Sequence, residues 1–316
     1  MRKRVSRVSI SKLETIFKTM PMCDSWSLQL MKVNTTKREG TSYLGREIIF
    51  SPTDKMEKFI LEISKRYVEG QKAILKSYLN VMDYDGSTMD KTLYKLRIDS
   101  ELIKSEYDKF LEAIASPDVE INPLEFSFQA YLLKGIVEID GNEIPVKLVS
   151  MQNPITKLKN KFLMNGGEFT EIEDKVLSLR PTFDVVIVDD CVYMLTLVAE
   201  NLFNMERAYK AISVAKIEAI CESDIVTDIQ MFGNIAGSGH NPRKFVSFNE
   251  SYLRKLQNKS FRRKIANKFN LPLKEDRFDT SKTEVSDKLV KLLCSKGMLD
   301  PFDDKPMEVA GSKSWL

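Results

Sequence analysis

The run AYLLKGIVEIDGNEIPVKLVSM, residues 130–151, decides how this chain is read. Two strand-length halves, AYLLKGIVEI (130–139) and EIPVKLVSM (143–151), flank Asp140, Gly141 and Asn142. Glycine and the Asx residues tolerate the positive φ that a tight hairpin turn demands, so the run predicts a β-hairpin. Working outward, KVLSL (175–179), FDVVIVDD (183–190) and CVYMLTL (191–197) continue the texture, with Asp189 and Asp190 at a second two-residue turn. From 126 to 197, short β-rich runs alternate with turn signals and not with helices, which is the pattern of an antiparallel meander.

Upstream, WSLQLMKV (26–33) and YLGREIIF (43–50) read as strands separated by the polar residues 34–40. Ser51, Pro52, Thr53 and Asp54 are helix-start signals. Met56, Phe59, Ile60, Ile63 and Tyr67 then recur at helical spacing, predicting a helix that Gly70 interrupts. TLYKLRI (92–98) reads as a strand, and SELIKSEYDKFLEAI (100–114) as an amphipathic helix ended near Pro117. Downstream, Leu202, Met205, Ala208, Tyr209, Ile212 and Ile217 predict one long helix over 200–228. Past Gly239 the chain reads as short helices broken at Pro242, Pro272 and Pro301. The expected fold class is α+β: a central antiparallel β meander flanked by helices, with a helical C-terminal region. Three segments are expected: a mixed region over 1–120, the sheet with its long helix over 121–230, and a basic helical region over 231–316. The boundary near residue 230 rests on GNIAGSGHNP (233–242), read as a linker or loop.

With 316 residues, of which 43% are hydrophobic, the chain can bury a sizeable core, and 29% charged residues fit an ordinary globular protein. Cys23, Cys191, Cys221 and Cys294 are widely spaced with no CxxC pair, which points to a reducing, cytoplasmic setting. No apolar signal-peptide core follows the basic N-terminus. The longest apolar run, CVYMLTLVA (191–199), is less than half of the roughly 20 residues that cross a bilayer. Membrane association would therefore come through a partner.

The net charge of +3 hides a strong asymmetry. Between 243 and 268 stand Arg243, Lys244, Arg254, Lys255, Lys259, Arg262, Arg263, Lys264 and Lys268, against the single acid Glu250. Such a concentration is the electrostatic footprint of a phosphate-backbone binder. If KSFRRKIANKF (259–269) is helical, Phe261, Ile265 and Phe269 form an apolar stripe, Arg263 lies opposite it, and Arg262, Lys264 and Lys268 flank it. The competing reading is a solvated face whose bases pair with Glu275, Asp276 or Asp279. Backbone contact without base readout is the economical form of binding, because nothing places a rigid helix at base edges. Lys157, Lys159 and Lys161 share one face if extended, either as a clamp on phosphates or as lysines protecting an edge strand. Arg2, Lys3, Arg4 and Arg7 form either a basic arm or a frayed start.

Catalytic signatures are sparse. The glycines of GNIAGSGHNPRK match neither GxxxxGK[ST] nor a GxGxxG that follows a strand, and no GxSxG or Cys/His signature is present. His240, the sole histidine, cannot anchor a multi-histidine site, so neither a metal nor a cofactor is expected. Asp189 and Asp190, with Glu138 and Asp140, would be the carboxylates of a metal-dependent nuclease, the alternative function. Their place at turns favours a structural role. A third reading is a non-catalytic module whose basic face meets an acidic protein or an anionic lipid.

RPTFDVVIVDDCVYMLTLVAENLFNMERAYKAI (180–212) carries an apolar strand ending in acids, a returning strand, and a helix opening on Glu200 and Phe203. The basic YLRKLQNKSFRRKIANKFNLPL (252–273) and the closing KLVKLLCSKGMLDPF (288–302) follow. In length, order of segments and tail, the chain over about 120–305 resembles the B-component family of the Kiwa anti-phage defence system. It departs from that family around Ser314 and Trp315, where a final tyrosine is expected. The resemblance implies a cytoplasmic DNA-binding effector that blocks replication or transcription of phage DNA. It also implies a membrane-spanning A component as partner, which recruits the chain to the inner membrane, and homodimer formation. It transfers no catalytic residues.

Overall fold

The computed structural model describes residues 8–20, 26–36, 40–48, 58, 62, 65–66, 80–86, 92–117, 128–153, 155–157, 162–171, 175–177, 179, 182–299 and 306–308. It divides into two compact units, one of residues 1–83 and 91–205, the other of 84–90 and 206–316. The chain is an α+β protein.

The first unit is built on an eight-stranded sheet of order β2-β1-β5-β6-β11-β12-β4-β3. Its elements are α1 (Val8–Thr19), β1 (Trp26–Thr36), β2 (Gly40–Ile48), β3 (Asn80–Asp83), β4 (Thr92–Arg97) and α2 (Lys104–Ala115), then β5 (Ala130–Ile139) and β6 (Asn142–Ser150). β11 (Val185–Val188), β12 (Cys191–Met194) and the short helix α3 (Ala199–Leu202) complete it. The expected hairpin is present. Ile139 pairs with Asn142, leaving Asp140 and Gly141 as a two-residue loop at φ 52° and 75°, the double positive φ of a primed turn. Val188 likewise pairs with Cys191 around Asp189 at φ 53°.

Both faces of this sheet are covered, which explains why VVIV of β11 is buried at every position instead of alternating. On one face Leu13, Ile16, Phe17 and Met20 of the N-terminal helical segment join Leu28, Leu30, Tyr131, Leu133, Leu148 and Val186 in one core. On the other face α2 packs on β2, with Phe110 edge-on to Tyr43 at 5.9 Å between centroids. That approach needs a glycine, since a Cβ on Gly45 would stand 2.7 Å from the carbonyl oxygen of Ala113. Asp184, 3% exposed, accepts from the Met151 amide (2.8 Å) and the Thr196 hydroxyl (2.7 Å), tying together the chain on either side of β11.

Three points differ from the sequence expectations, and a fourth expectation is met as far as it is described. The strands of the first 120 residues belong to the same sheet as the hairpin, and β3 runs parallel to β4, so the sheet is mixed and not purely antiparallel. KVLSL leaves the sheet: β10 (Lys175–Leu177) pairs with β7 (Ile155–Lys157), and β8 (Phe162–Asn165) with β9 (Glu168–Glu171), as separate ribbons. The long helix is broken at Asn204, whose φ of 45° interrupts the helical path after α3. It restarts as α4 (Met205–Glu222) and stops before Asp224 at φ 52°. Of the helix expected after Ser51, residues 58, 62, 65 and 66 are helical and the rest lies outside the described residues.

In the second unit α4 is followed by α5 (Ile229–Ala236), α6 (Asn241–Lys244), a 3-10 turn (Phe245–Ser247), α7 (Glu250–Gln257) and α8 (Lys259–Lys268). The hairpin β13 (Leu273–Lys274) and β14 (Arg277–Phe278), then α9 (Thr283–Leu293), follow. β15 (Gly297–Leu299) and β16 (Pro306–Glu308) close the unit as an antiparallel pair. Ile220, Phe232, Phe245, Leu256, Phe278, Leu289 and Leu293 form its core. The glycine-rich stretch read as a linker is half helical: Gly233 lies inside α5, which Asp228 caps by accepting from the Met231 amide at 2.8 Å.

Candidate nucleic-acid interface

Two short amphipathic helices carry most of the basic run. Asn249 caps α7, accepting from the Ser251 amide at 3.0 Å, and Leu253 and Leu256 turn inward. Asn258 caps α8, accepting from the Phe261 amide at 3.0 Å. Each cap satisfies a helix N–H that would otherwise lack a partner, so both helices start at fixed points. Phe261, Ile265 and Phe269 pack against the core, as the stripe predicted.

With the helices oriented this way, Arg254, Lys255, Lys259, Arg263, Lys264 and Lys268 point to solvent. Lys264 and Lys268 sit at i and i+4, and Lys259 and Arg263 form the row beside them. Part of this charge is matched. Asp276 takes Arg263 at 2.6 Å and Lys259 at 3.8 Å, and Glu250 lies 3.6 Å from Arg254. The hydrogen bond from Arg263 holds the Asp276 carboxyl below the usual range. Lys255, Lys264 and Lys268 have no carboxylate partner among the described residues. The competing reading of a paired face thus describes one half of this surface and leaves the other half net positive.

One residue of the basic run is buried and two more, Arg243 and Lys244, are half-buried. Arg262 was placed at the flank of the stripe, yet it is 4% exposed and belongs to the buried face with Ala266. Its guanidinium donates to the carbonyl oxygens of Leu256 (2.7 Å), Asp276 (2.6 Å), Gln257 (3.3 Å) and Asp224 (3.5 Å). Burial draws it below its ordinary pKa. One side chain therefore joins the end of α7, the β13–β14 turn and the turn after α4. Arg243 donates to the Tyr84 hydroxyl at 2.6 Å and lies over that ring, and Lys244 donates to Asn241 at 2.8 Å.

Other expected residues lie elsewhere. Lys157 ends β7 in the first unit, with Lys175 opposite it in register, and Lys159 and Lys161 lie outside the described residues, as does the arm Arg2–Arg7. Asp189 pairs with Lys12, and Asp190 with Arg97 at 2.5 Å, while Arg97 also holds Asp99 at 3.0 Å. Glu138 and Asp140 lie at the turn end of the β5–β6 hairpin, the same end of the sheet that carries Asp189 and Asp190. Sequence reasoning missed Lys216 of α4, which takes Glu250 at 3.0 Å and holds its carboxyl below the usual range. It also missed Arg277, paired with Asp224 and Glu275. Lys216 lies 34 residues from its partner and Arg277 lies 53 from Asp224, so only folding brings these pairs together.

Fold and site together define an α+β protein whose helical unit presents a basic two-helix face. The chain belongs to the Kiwa protein KwaB-like family, whose model matches residues 136–296, from within β5 through α7 and α8 to just past α9. Membership makes it a component of the Kiwa type of anti-phage defence. No curated protein and no solved structure matches it. Among the described residues no helix is long and apolar enough to cross a membrane.

Proposed function

We propose that this chain is the DNA-holding effector of a Kiwa system, which grips phage duplex DNA along the α7–α8 face and so blocks its replication or transcription. The observation that carries the reading is the outward row of Arg254, Lys255, Lys264 and Lys268, three of which have no carboxylate partner among the described residues. Phosphates would supply the missing charge, with release of condensed counterions as the driving force. In this reading the chain is non-catalytic, pairs with a second copy, and reaches the inner membrane through a membrane-spanning A component. The engagement of Asp189 and Asp190 with Lys12 and Arg97 supports a structural role for those acids over metal binding.

A salt-titrated gel shift, run with and without Mg2+, tests this. Each phosphate contact adds about 0.9 to the slope of log K against log salt, so Lys264→Glu with Lys268→Glu is expected to lower that slope by roughly 2. Unchanged duplex affinity in this double variant would remove α8 from the interface. Mg2+-dependent cleavage lost on Asp189→Asn would establish the nuclease reading in its place. Failure to retain DNA even at low salt would leave a protein or lipid module.

A further inference from the structure

The β5–β6 hairpin holds a second group of bases that the α7–α8 face does not involve. Lys134 and Lys147 stand directly opposite each other in the antiparallel register, so both side chains leave the same face. Both are half-buried. Like charges opposed across strands are destabilising, and partial burial adds to the cost of keeping them charged. The Lys147 ammonium is accordingly drawn below its ordinary pKa, by burial first and by Lys134 second.

The usual reason for lysines on a strand does not apply. Edge strands carry them to prevent association, but β5 and β6 are interior to the sheet at this row, where Ser27 of β1 flanks Lys134 and Ile187 of β11 flanks Lys147. Among the described residues, Lys134 donates only to the Ile114 carbonyl at the end of α2 (3.3 Å), and Lys147 has no hydrogen-bond or carboxylate partner. The nearest acids along the hairpin on this face, Glu138 and Glu143, are themselves an opposed pair four positions on, roughly 14 Å away at about 3.4 Å per residue. Between the two charged rows lies the pair Ile136 and Pro145, with Ile136 46% exposed. Ser27, Lys134, Ile136, Pro145 and Lys147 line a groove of about 330 Å3, at the lower end of the range for small-molecule sites.

We infer that this groove is an oxyanion site, in which Lys134 and Lys147 clasp one phosphate group and Ile136 and Pro145 take the apolar part of the molecule that carries it. A phosphate between two ammonium groups removes their repulsion and forms charge-assisted hydrogen bonds to both. The phosphate belongs either to a small phosphorylated metabolite or to a nucleic-acid backbone, and the site's chemistry is the same in both cases.

The test uses the full chain and inorganic phosphate as probe, with sodium chloride at matched ionic strength as reference. Calorimetric titration of the wild type is expected to show saturable binding that weakens at least about tenfold in Lys147→Met and is retained in Lys147→Arg. A chain whose folding and thermal midpoint respond to phosphate no differently from chloride overturns the site, as does undiminished binding in Lys147→Met. Should Lys147→Met leave phosphate response absent in both proteins yet change the oligomeric state, the lysine pair is a contact between copies and the proposal falls. Where phosphate binds as expected, a duplex gel shift separates the two sources. Equal loss of DNA affinity in Lys147→Met assigns the phosphate to nucleic acid, and unchanged DNA affinity assigns it to a free metabolite. The DNA arm reads a residue remote in sequence from α7 and α8, so failure here is distinguishable from failure of that interface.

Discussion

Replacing Arg262 by methionine separates a structural role within the basic run from the proposed DNA-binding role. The substitution keeps a long apolar stem but removes a guanidinium that donates to four backbone carbonyls, two of them at 2.6 and 2.7 Å. A hydrogen bond to a charged group contributes about 1.5–3 kcal/mol, and carbonyls at the end of α7 and in the turns regain some water once the fork is gone. Counting the two short bonds and discounting for that rehydration, the loss is about 3 kcal/mol. For a unit of this size each kcal/mol shifts the midpoint by about 3–4 °C, so the helical unit should melt roughly 10 °C lower. Differential scanning calorimetry resolves this, with Arg263→Met as control. Arg263 is exposed, and its loss should move the midpoint by no more than about 2 °C. Arg262→Lys should recover little, since an ammonium cannot span the same carbonyls. At low temperature, where the variant stays folded, duplex affinity should equal that of the wild type. If Arg262→Met melts within about 3 °C of wild type, or folds normally and loses DNA, the assignment of Arg262 as an internal brace is wrong.

Three further outcomes are expected. Cys294 is fully buried and its thiol is pushed up to about 12 by that burial. A raised folded-state pKa makes a contribution that is complete below the unfolded value near 9 and is lost as pH rises toward 12, so urea midpoints should fall across that window and Cys294→Ala should flatten the fall. In native protein at pH 8, alkylation of Cys294 should lag far behind that of Cys191 and Cys221, which are half-buried. Gly45→Val should destabilise the first unit by about 2 kcal/mol, because its Cβ would meet the Ala113 carbonyl at 2.7 Å and push α2 off β2. A midpoint equal to wild type in chemical denaturation would show that α2 moves aside at no cost.

Much of the architecture was legible locally. Asp140 and Gly141 mark their turn because few residue pairs accept two positive φ values, and β-branched runs of strand length on either side leave the hairpin as the economical reading. The basic density of 243–268 needed no structure, since charge sums along the chain. The family resemblance, too, was carried by segments whose order is linear. What remained hidden was pairing between distant segments. Nothing in WSLQLMKV says that it lies beside AYLLKGIVEI across a hundred residues, because a strand's hydrogen bonds are directed outward and their partner is chosen by the whole chain.

The same distinction runs through the site. Sequence by itself determined that this chain is α+β, that its positive charge is gathered on two helices, and that Phe261, Ile265 and Phe269 face the core. Tertiary structure alone decided which of the nine bases are available. It turned Arg262 inward, because three turns and helix ends converge there with carbonyls that only a five-donor fork can serve at once. It set Lys216 against Glu250 and Asp276 against Arg263 and Lys259, leaving Lys255, Lys264 and Lys268 without a carboxylate partner among the described residues. Helical periodicity orders residues around an axis, whereas the depth at which each is buried and the groups that meet it belong to elements far away in the chain.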